Sequence, residues 1–228
     1  MNRPIAIALS MLTTVFLVGC DNAPGRRAID AEDIAPDKIL DFNVLYPMNC
    51  AGCHGFDGRG GPAIALANPI YLGIAGAGVL RRATADGMAG TPMPAFARRS
   101  GGMLTDEQID AIVNGLRTRW TDPRAIAGID LPPYADSSSG DARRGENVFT
   151  TYCASCHGDA GGGARRGSAI VDGTYLALVS DQGLRTTVIA GRPDLGAPDW
   201  RGNVPGQPMS ADEVSDVVAW LTVRRPHG

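Results

Sequence analysis

Two short strings carry the chemistry of this sequence, Cys50-Ala-Gly-Cys53-His54 and Cys153-Ala-Ser-Cys156-His157. In each, two thiols stand three residues apart and an imidazole follows directly. On one helical turn, residues i and i+3 are neighbours. Both sulfurs can then add to the two vinyl groups of a single porphyrin, with the next side chain aimed at its iron. Cys-x-x-Cys-His is the attachment signature of c-type haem, and here it occurs twice. A dithiol redox pair requires neither the His nor a second copy. A four-Cys zinc site would have to unite pairs 103 residues apart. Disulfides, allowed in an exported chain, leave both His without a role.

The elements around these motifs repeat. Tyr71-Leu72 matches Tyr175-Leu176 at an offset of 104, and the stretch 80–96 aligns without gaps with 184–200 at the same offset. Thr105…Gln108 matches Ser210…Glu213 at 105. Both of these are capping boxes, Ser/Thr three residues before Glu/Gln. Each opens a helix with one apolar face: Ile109, Ile112, Val113, Leu116 and Trp120 in the first, and Val214, Val217, Val218 and Leu221 in the second. Short helices are expected to lead into each motif, over Ile39–Asn49 and Arg143–Tyr152. No alternating strand pattern is visible. The fold class expected is all-α, two tandem domains of a few short helices, each wrapped around a covalently attached haem.

The paired motifs, each followed by a Met- or Pro-bearing loop and a final capped helix, resemble the class I c-type cytochrome family twice over, as a tandem dihaem cytochrome c. The resemblance covers 41–120 and 141–225. It implies two covalently bound haem c, with Cys50, Cys53, Cys153 and Cys156 as thioether positions. It also implies His54 and His157 as proximal iron ligands. Gly61-Pro62 matches the family's string, in which the Pro carbonyl accepts a hydrogen bond from the proximal ring. Gly167-Ser168 stands in the corresponding place of the second repeat, with a Ser carbonyl as substitute. Gly90-Thr-Pro-Met93-Pro resembles the family's distal loop and implies Met93 as sixth ligand of haem 1, with Met88 and then Met103 as competitors.

The second repeat departs from that pattern. Ala197 falls where the first repeat has Met93, and Arg192 where it has Met88. Met209 is the remaining Met on the loop and the candidate sixth ligand of haem 2. It also immediately precedes the capping Ser210, where an apolar residue staples onto Val214, as Leu104 would onto Ile109. An open iron and His227 are the alternatives. Arg81, Arg82 and Arg185 are candidate partners for haem propionates.

The organisation expected is a lipoprotein-type signal peptide over 1–19, a lipid anchor and polar tether over 20–40, domain 1 over 41–120, a linker over 121–140 and domain 2 over 141–228. Arg3 followed by a short apolar run reads as a secretory signal. Leu17-Val18-Gly19-Cys20 resembles the bacterial lipobox, which makes Cys20 the acylated residue. Asp21 behind it implies retention at the inner membrane, on the periplasmic side, by resemblance to enterobacterial lipoproteins. The linker carries Pro132-Pro133 and Ser137-Ser138-Ser139-Gly140, stiff at one end and loose at the other.

Composition bounds the function. The chain has 228 residues, a formal charge of −3 and 6% aromatics, with 30 Gly and 16 Pro. A polypeptide so poor in large side chains builds a thin core, which two porphyrins would thicken. The mild charge excludes a strongly basic nucleic-acid binder, so no nucleic-acid partner is expected. The function expected is a membrane-anchored carrier of single electrons between membrane redox complexes: a quinol-oxidising complex on one side, a terminal oxidase or photosynthetic reaction centre on the other. The alternative is a dihaem oxidoreductase, peroxidase-like or sulfur-compound oxidising, with haem 2 as an open catalytic site.

Overall fold

The computed structural model describes residues 34–136 and 139–226. The signal segment, Cys20, Asp21, most of the tether, Ser137, Ser138 and His227 lie outside the described residues. From Asp37 onward the chain forms one compact unit. Helices α1 (Phe42–Asn49), α2 (Ala51–His54), α3 (Pro69–Asp86) and α4 (Asp106–Trp120) build the first repeat. A one-turn helix, α5 (Pro123–Ile126), follows. The second repeat consists of α6 (Ala142–Tyr152), α7 (Ala154–His157), α8 (Gly173–Leu178), α9 (Asp181–Ala190) and α10 (Ala211–Thr222). Among the described residues there is no strand, only isolated bridges. No helix among them is long and apolar enough to cross a membrane.

Side chains at the helix starts explain where the helices begin. Asp41, Asn68, Asp141, Asp172 and Ser180 each accept backbone N–H groups of the first turn. Both expected capping boxes form, at Thr105 with Gln108 and at Ser210 with Glu213. The expected apolar faces are buried apart from the half-buried Trp120, Ile109 and Val214 completely. Helix α3 kinks at Gly76, whose φ of 64° only glycine adopts cheaply. At the position 104 residues later the second repeat starts a new helix behind Ser180, so α8 and α9 together correspond to α3.

In each repeat the helix entering the Cys motif packs against the final helix, α1 on α4 and α6 on α10. The two crossings use opposite halves of one solution. In the first, Gly115 of α4 admits the ring of Phe42, since a Cβ there would collide with that ring. In the second, the small residue is Gly145, in the place of Phe42, and the large one is Trp220, in the place of Gly115. A Cβ on Gly145 would strike the Asp216 carbonyl and Trp220. Phe149 and Trp220 stack at 4.2 Å between centroids, whereas Tyr46 meets Trp120 edge-on at 5.1 Å.

The described part of the segment expected to be a linker packs as a strap against the neighbouring helices. Ile126 and Leu131 lie over Gly73 of α3. The carbonyl of Pro133 accepts from Arg185 at 3.1 and 3.2 Å, and that of Tyr134 accepts from Gln182 at 2.8 Å. Backbone carbonyls with buried donors in reach are what hold it. Two of the Arg expected to meet propionates are engaged elsewhere. Arg81 bonds Asp106 at 2.8 Å and Asp110 at 2.7 Å. Arg185, 2% exposed, pairs with Asp136 at 3.3 Å and donates to Ser215 at 3.0 Å. Arg82 is exposed.

Candidate metal centres

Each Cys-x-x-Cys-His string forms a single helical turn fed by the preceding helix. Cys50 closes α1 through its N–H to Tyr46 O at 2.8 Å, and its carbonyl accepts from His54 N at 3.0 Å. Cys153 does the same between Phe149 and His157, at 2.8 and 3.0 Å. A glycine with positive φ then reverses the chain: Gly55 at 80° and Gly158 at 78°. This reversal sends a loop back past the His in both repeats. In the first, Ala63 N bonds Cys53 O at 2.9 Å.

The returning loop fixes the imidazole. Nδ1 of His54 donates to the Ile64 carbonyl at 2.8 Å, and Nδ1 of His157 donates to the Ser168 carbonyl at 2.7 Å. A carbonyl only accepts, so the proton resides on Nδ1 and the Nε2 lone pair stays free in both rings. That is the tautomer in which imidazole ligates iron, oriented by the bond behind it. The acceptor in the first repeat is therefore Ile64 and not the expected Pro62, which is exposed. Ile64 and Ser168 stand 104 apart, the general offset of the two repeats. Pro62 lies two residues upstream of the acceptor, whereas in the second repeat the acceptor is the expected Ser168 carbonyl.

Burial shifts the groups here in consistent directions. The thiols of Cys50 and Cys153 are pushed up to about 12, chiefly by desolvation and secondarily by the companion thiol. They stay protonated at neutral pH, unlike the depressed thiols of dithiol redox motifs. His54, 7% exposed, is held below the usual imidazole range by burial, opposed by the Ile64 carbonyl and reinforced by the charge of Arg192. The paired thiols, the free Nε2 and the apolar surroundings fit a haem in both repeats.

The loop before the last helix has the same backbone plan twice. Met88 N bonds Met93 O at 3.1 Å, and Arg192 N bonds Ala197 O at 3.0 Å. Ala197 thus occupies the backbone position of Met93, and Arg192 that of Met88, as the offset implied. Thr91 stiffens the first loop, accepting from Met93 N at 3.2 Å and donating to Met88 O at 2.7 Å. Met103 is 81% exposed. Met209 N bonds Trp200 O at 3.0 Å, the counterpart of Leu104 N to Phe96 O at 2.8 Å. Its side chain is 3% exposed, within the same apolar cluster as Val214.

Sequence reading missed a contact between the repeats. Arg192 and Asp194 form a two-pronged pair, at 3.0 and 2.9 Å, with side chains only 13% and 6% exposed. From there Arg192 Nη2 donates to Gly61 O at 2.8 Å, and Asp194 accepts from Gly60 N at 2.8 Å. Asn68 adds a bond to Ala190 O at 2.8 Å. The loop of the second repeat equivalent to the Met88–Met93 loop therefore grips the loop behind His54. Its only sequence trace is the departure of Arg192-Pro-Asp194 from the first repeat.

Helical repeats with a thioether turn and a carbonyl-held His define a class of all-α domains built on covalent haem. Residues 43–120 match the family model described as cytochrome c, and residues 140–221 match that of the cbb3-type cytochrome c oxidase subunit III. The chain is a c-type cytochrome of two tandem domains, carrying two covalently bound haem c at Cys50/Cys53 and Cys153/Cys156. It is 27% identical over 213 residues to the cytochrome bc1 complex cytochrome c subunit of Mycobacterium tuberculosis H37Rv, covering 90% of this chain and 71% of that one. It is 32% identical over 163 residues to the cbb3-type cytochrome c oxidase subunit CcoP of Azospirillum sp. B510, covering 64% and 49%. A chain of the Kuenenia stuttgartiensis reducing HAO-like protein complex Kustc0457/Kustc0458 aligns over 81% of this chain and 96% of its own, at a TM-score of 0.43 and 15% identity. The function is electron transfer among membrane respiratory complexes.

Proposed function

We propose that the chain is the dihaem electron-transfer subunit of a quinol-oxidising respiratory complex, handing single electrons onward to a terminal oxidase. The observation that carries this reading is the matched pair of carbonyl-held His, with Nε2 free, in a chain whose similarity to a bc1-complex cytochrome c subunit spans both domains. His54 and Met93 would hold the iron of haem 1, and His157 would hold that of haem 2. The bound haem supplies one-electron chemistry, and a His/Met iron is coordinatively full and of raised potential. Around it, the protein holds the imidazole proton on Nδ1 and orients the ring. An acyl group on Cys20 keeps the unit on the periplasmic face of the inner membrane.

The test is made on the full chain matured in an exporting host. A haemochrome assay is expected to return two haems per chain. Met93→Leu is expected to convert one of the two from low spin and to lower its potential. Purification of the tagged chain from membranes is expected to bring quinol-oxidising activity with it, and Cys20→Ser to release the chain from the membrane fraction. An unchanged spectrum in Met93→Leu would sink the axial assignment. Absence of quinol-oxidising activity from the purified membranes would sink the proposed partner.

A further inference from the structure

The two repeats share a backbone plan on the distal loop but not its chemistry. The first presents a thioether from Met93, while the second presents the methyl of Ala197 from the same hydrogen-bonded position. The other thioether near that loop, Met209, is placed by its bond to Trp200 as Leu104 is by its bond to Phe96. It is buried with Trp200, Leu184 and Val214 in the apolar cluster. Leucine cannot ligate iron, so the position itself requires only an apolar staple under the final helix. The remaining polar side chains of the 191–201 loop are committed. Arg192 binds Asp194 at 2.9 Å, and Arg201 binds Asp199 at 2.7 Å while its guanidinium lies 4.9 Å over the Trp200 ring.

We propose that the haem 2 site, with His157 on one side and Ala197 on the other, binds an exogenous neutral diatomic ligand of the carbon monoxide or nitric oxide kind, whereas the haem 1 site does not. Charged side chains on the loop are neutralised in pairs, so no free cation is offered to an anionic ligand. The half-buried Ala197 carries only a methyl at the backbone position where the first repeat carries a methionine side chain. No redox step is involved, since the ligand donates its own electron pair to reduced iron. The proposal rests on the axial assignment of His54 and Met93 made above.

The experiment titrates carbon monoxide into the dithionite-reduced, fully haem-loaded chain and reads the difference spectrum. One equivalent is expected to bind per chain. Ala197→Met is expected to abolish that binding, and Met209→Leu, a change to the residue of the equivalent position, to leave one equivalent. Met93→Leu is expected to raise the count from one to two. A wild-type chain that binds none, or a Met209→Leu chain that gains an equivalent, overturns the proposal while leaving haem 1 as assigned. A Met93→Leu chain that still binds only one overturns the axial reading of haem 1 and the proposal with it.

Discussion

The Nη2 of Arg192 lies 2.8 Å from the carbonyl oxygen of Gly61 and joins the distal loop of one repeat to the proximal loop of the other. The same guanidinium is held by Asp194, whose carboxylate also takes the N–H of Gly60. The two haem domains are thereby locked at the loop that carries the Ile64 carbonyl, so the loop that orients His54 is held by residues 131 and 134 positions further along the chain.

Removing half of a mostly buried pair leaves the other half uncompensated. Arg192→Gln is expected to destabilise the chain by about 3 kcal/mol, read from denaturant unfolding. It also removes a positive charge near His54, so the potential of haem 1 is expected to fall. Potentiometric titration checks this, and an unchanged haem 1 potential would contradict it.

Acid should undo the same contact. The bond from Arg192 holds Asp194 at about 2, against roughly 3.9 in an unfolded chain. Because the folded value is the lower one, the stabilisation is full above pH 4 and is lost as pH falls through 2. Its size is roughly 2–3 kcal/mol. Unfolding measured between pH 5 and 2 is expected to show that loss in wild type and a smaller one in Asp194→Asn.

Pro62 lies on the surface and its carbonyl is not the acceptor of the His54 ring. Pro62→Ala is expected to change stability by less than about 0.5 kcal/mol and to leave the haem 1 potential where it was. A clear shift would mean that Pro62 orients the ring after all.

The mirrored helix crossings predict unequal tolerance. At Gly145 an added Cβ meets the Asp216 backbone, so Gly145→Ala is expected to cost about 3 kcal/mol. At Gly115 the nearest atoms it meets all belong to the Phe42 side chain, so Gly115→Ala is expected to cost about 1–2 kcal/mol. Phe42→Leu should recover part of that loss in the double variant, which a thermodynamic cycle measures.

Arg185 secures the strap from the inside through Pro133, Asp136 and Ser215. Arg185→Met removes those bonds and is expected to cost about 3–5 kcal/mol. Limited proteolysis should then cut within residues 121–136 well before either haem domain, whereas wild type should resist there.

Much of this molecule was legible from local pattern. The Cys-x-x-Cys-His turns, the capping boxes and the apolar faces of α4 and α10 depend on residues within a turn or two of one another, and spacing records such relationships. The acceptor of His54 was harder. It lies ten residues beyond the ring on an irregular loop, and it is a carbonyl, which every residue possesses. Only the 104 offset between Ile64 and Ser168 marked it. Arg185 offered the opposite lesson. Its type suggested a propionate partner, but burial against the strap decided its role.

By itself, then, the sequence determined the chemistry: two thioether turns, an imidazole directly after each, one repeat with Met93 and one with Ala197. These follow from residue type and short spacing, which survive without a fold. The tertiary structure alone decided which carbonyl orients each ring and that Met209 is packed as Leu104 is. It also decided that Arg192 and Asp194 close one repeat onto the other. Those are contacts between segments far apart in the chain, where packing and desolvation choose the partner and no local pattern records the choice.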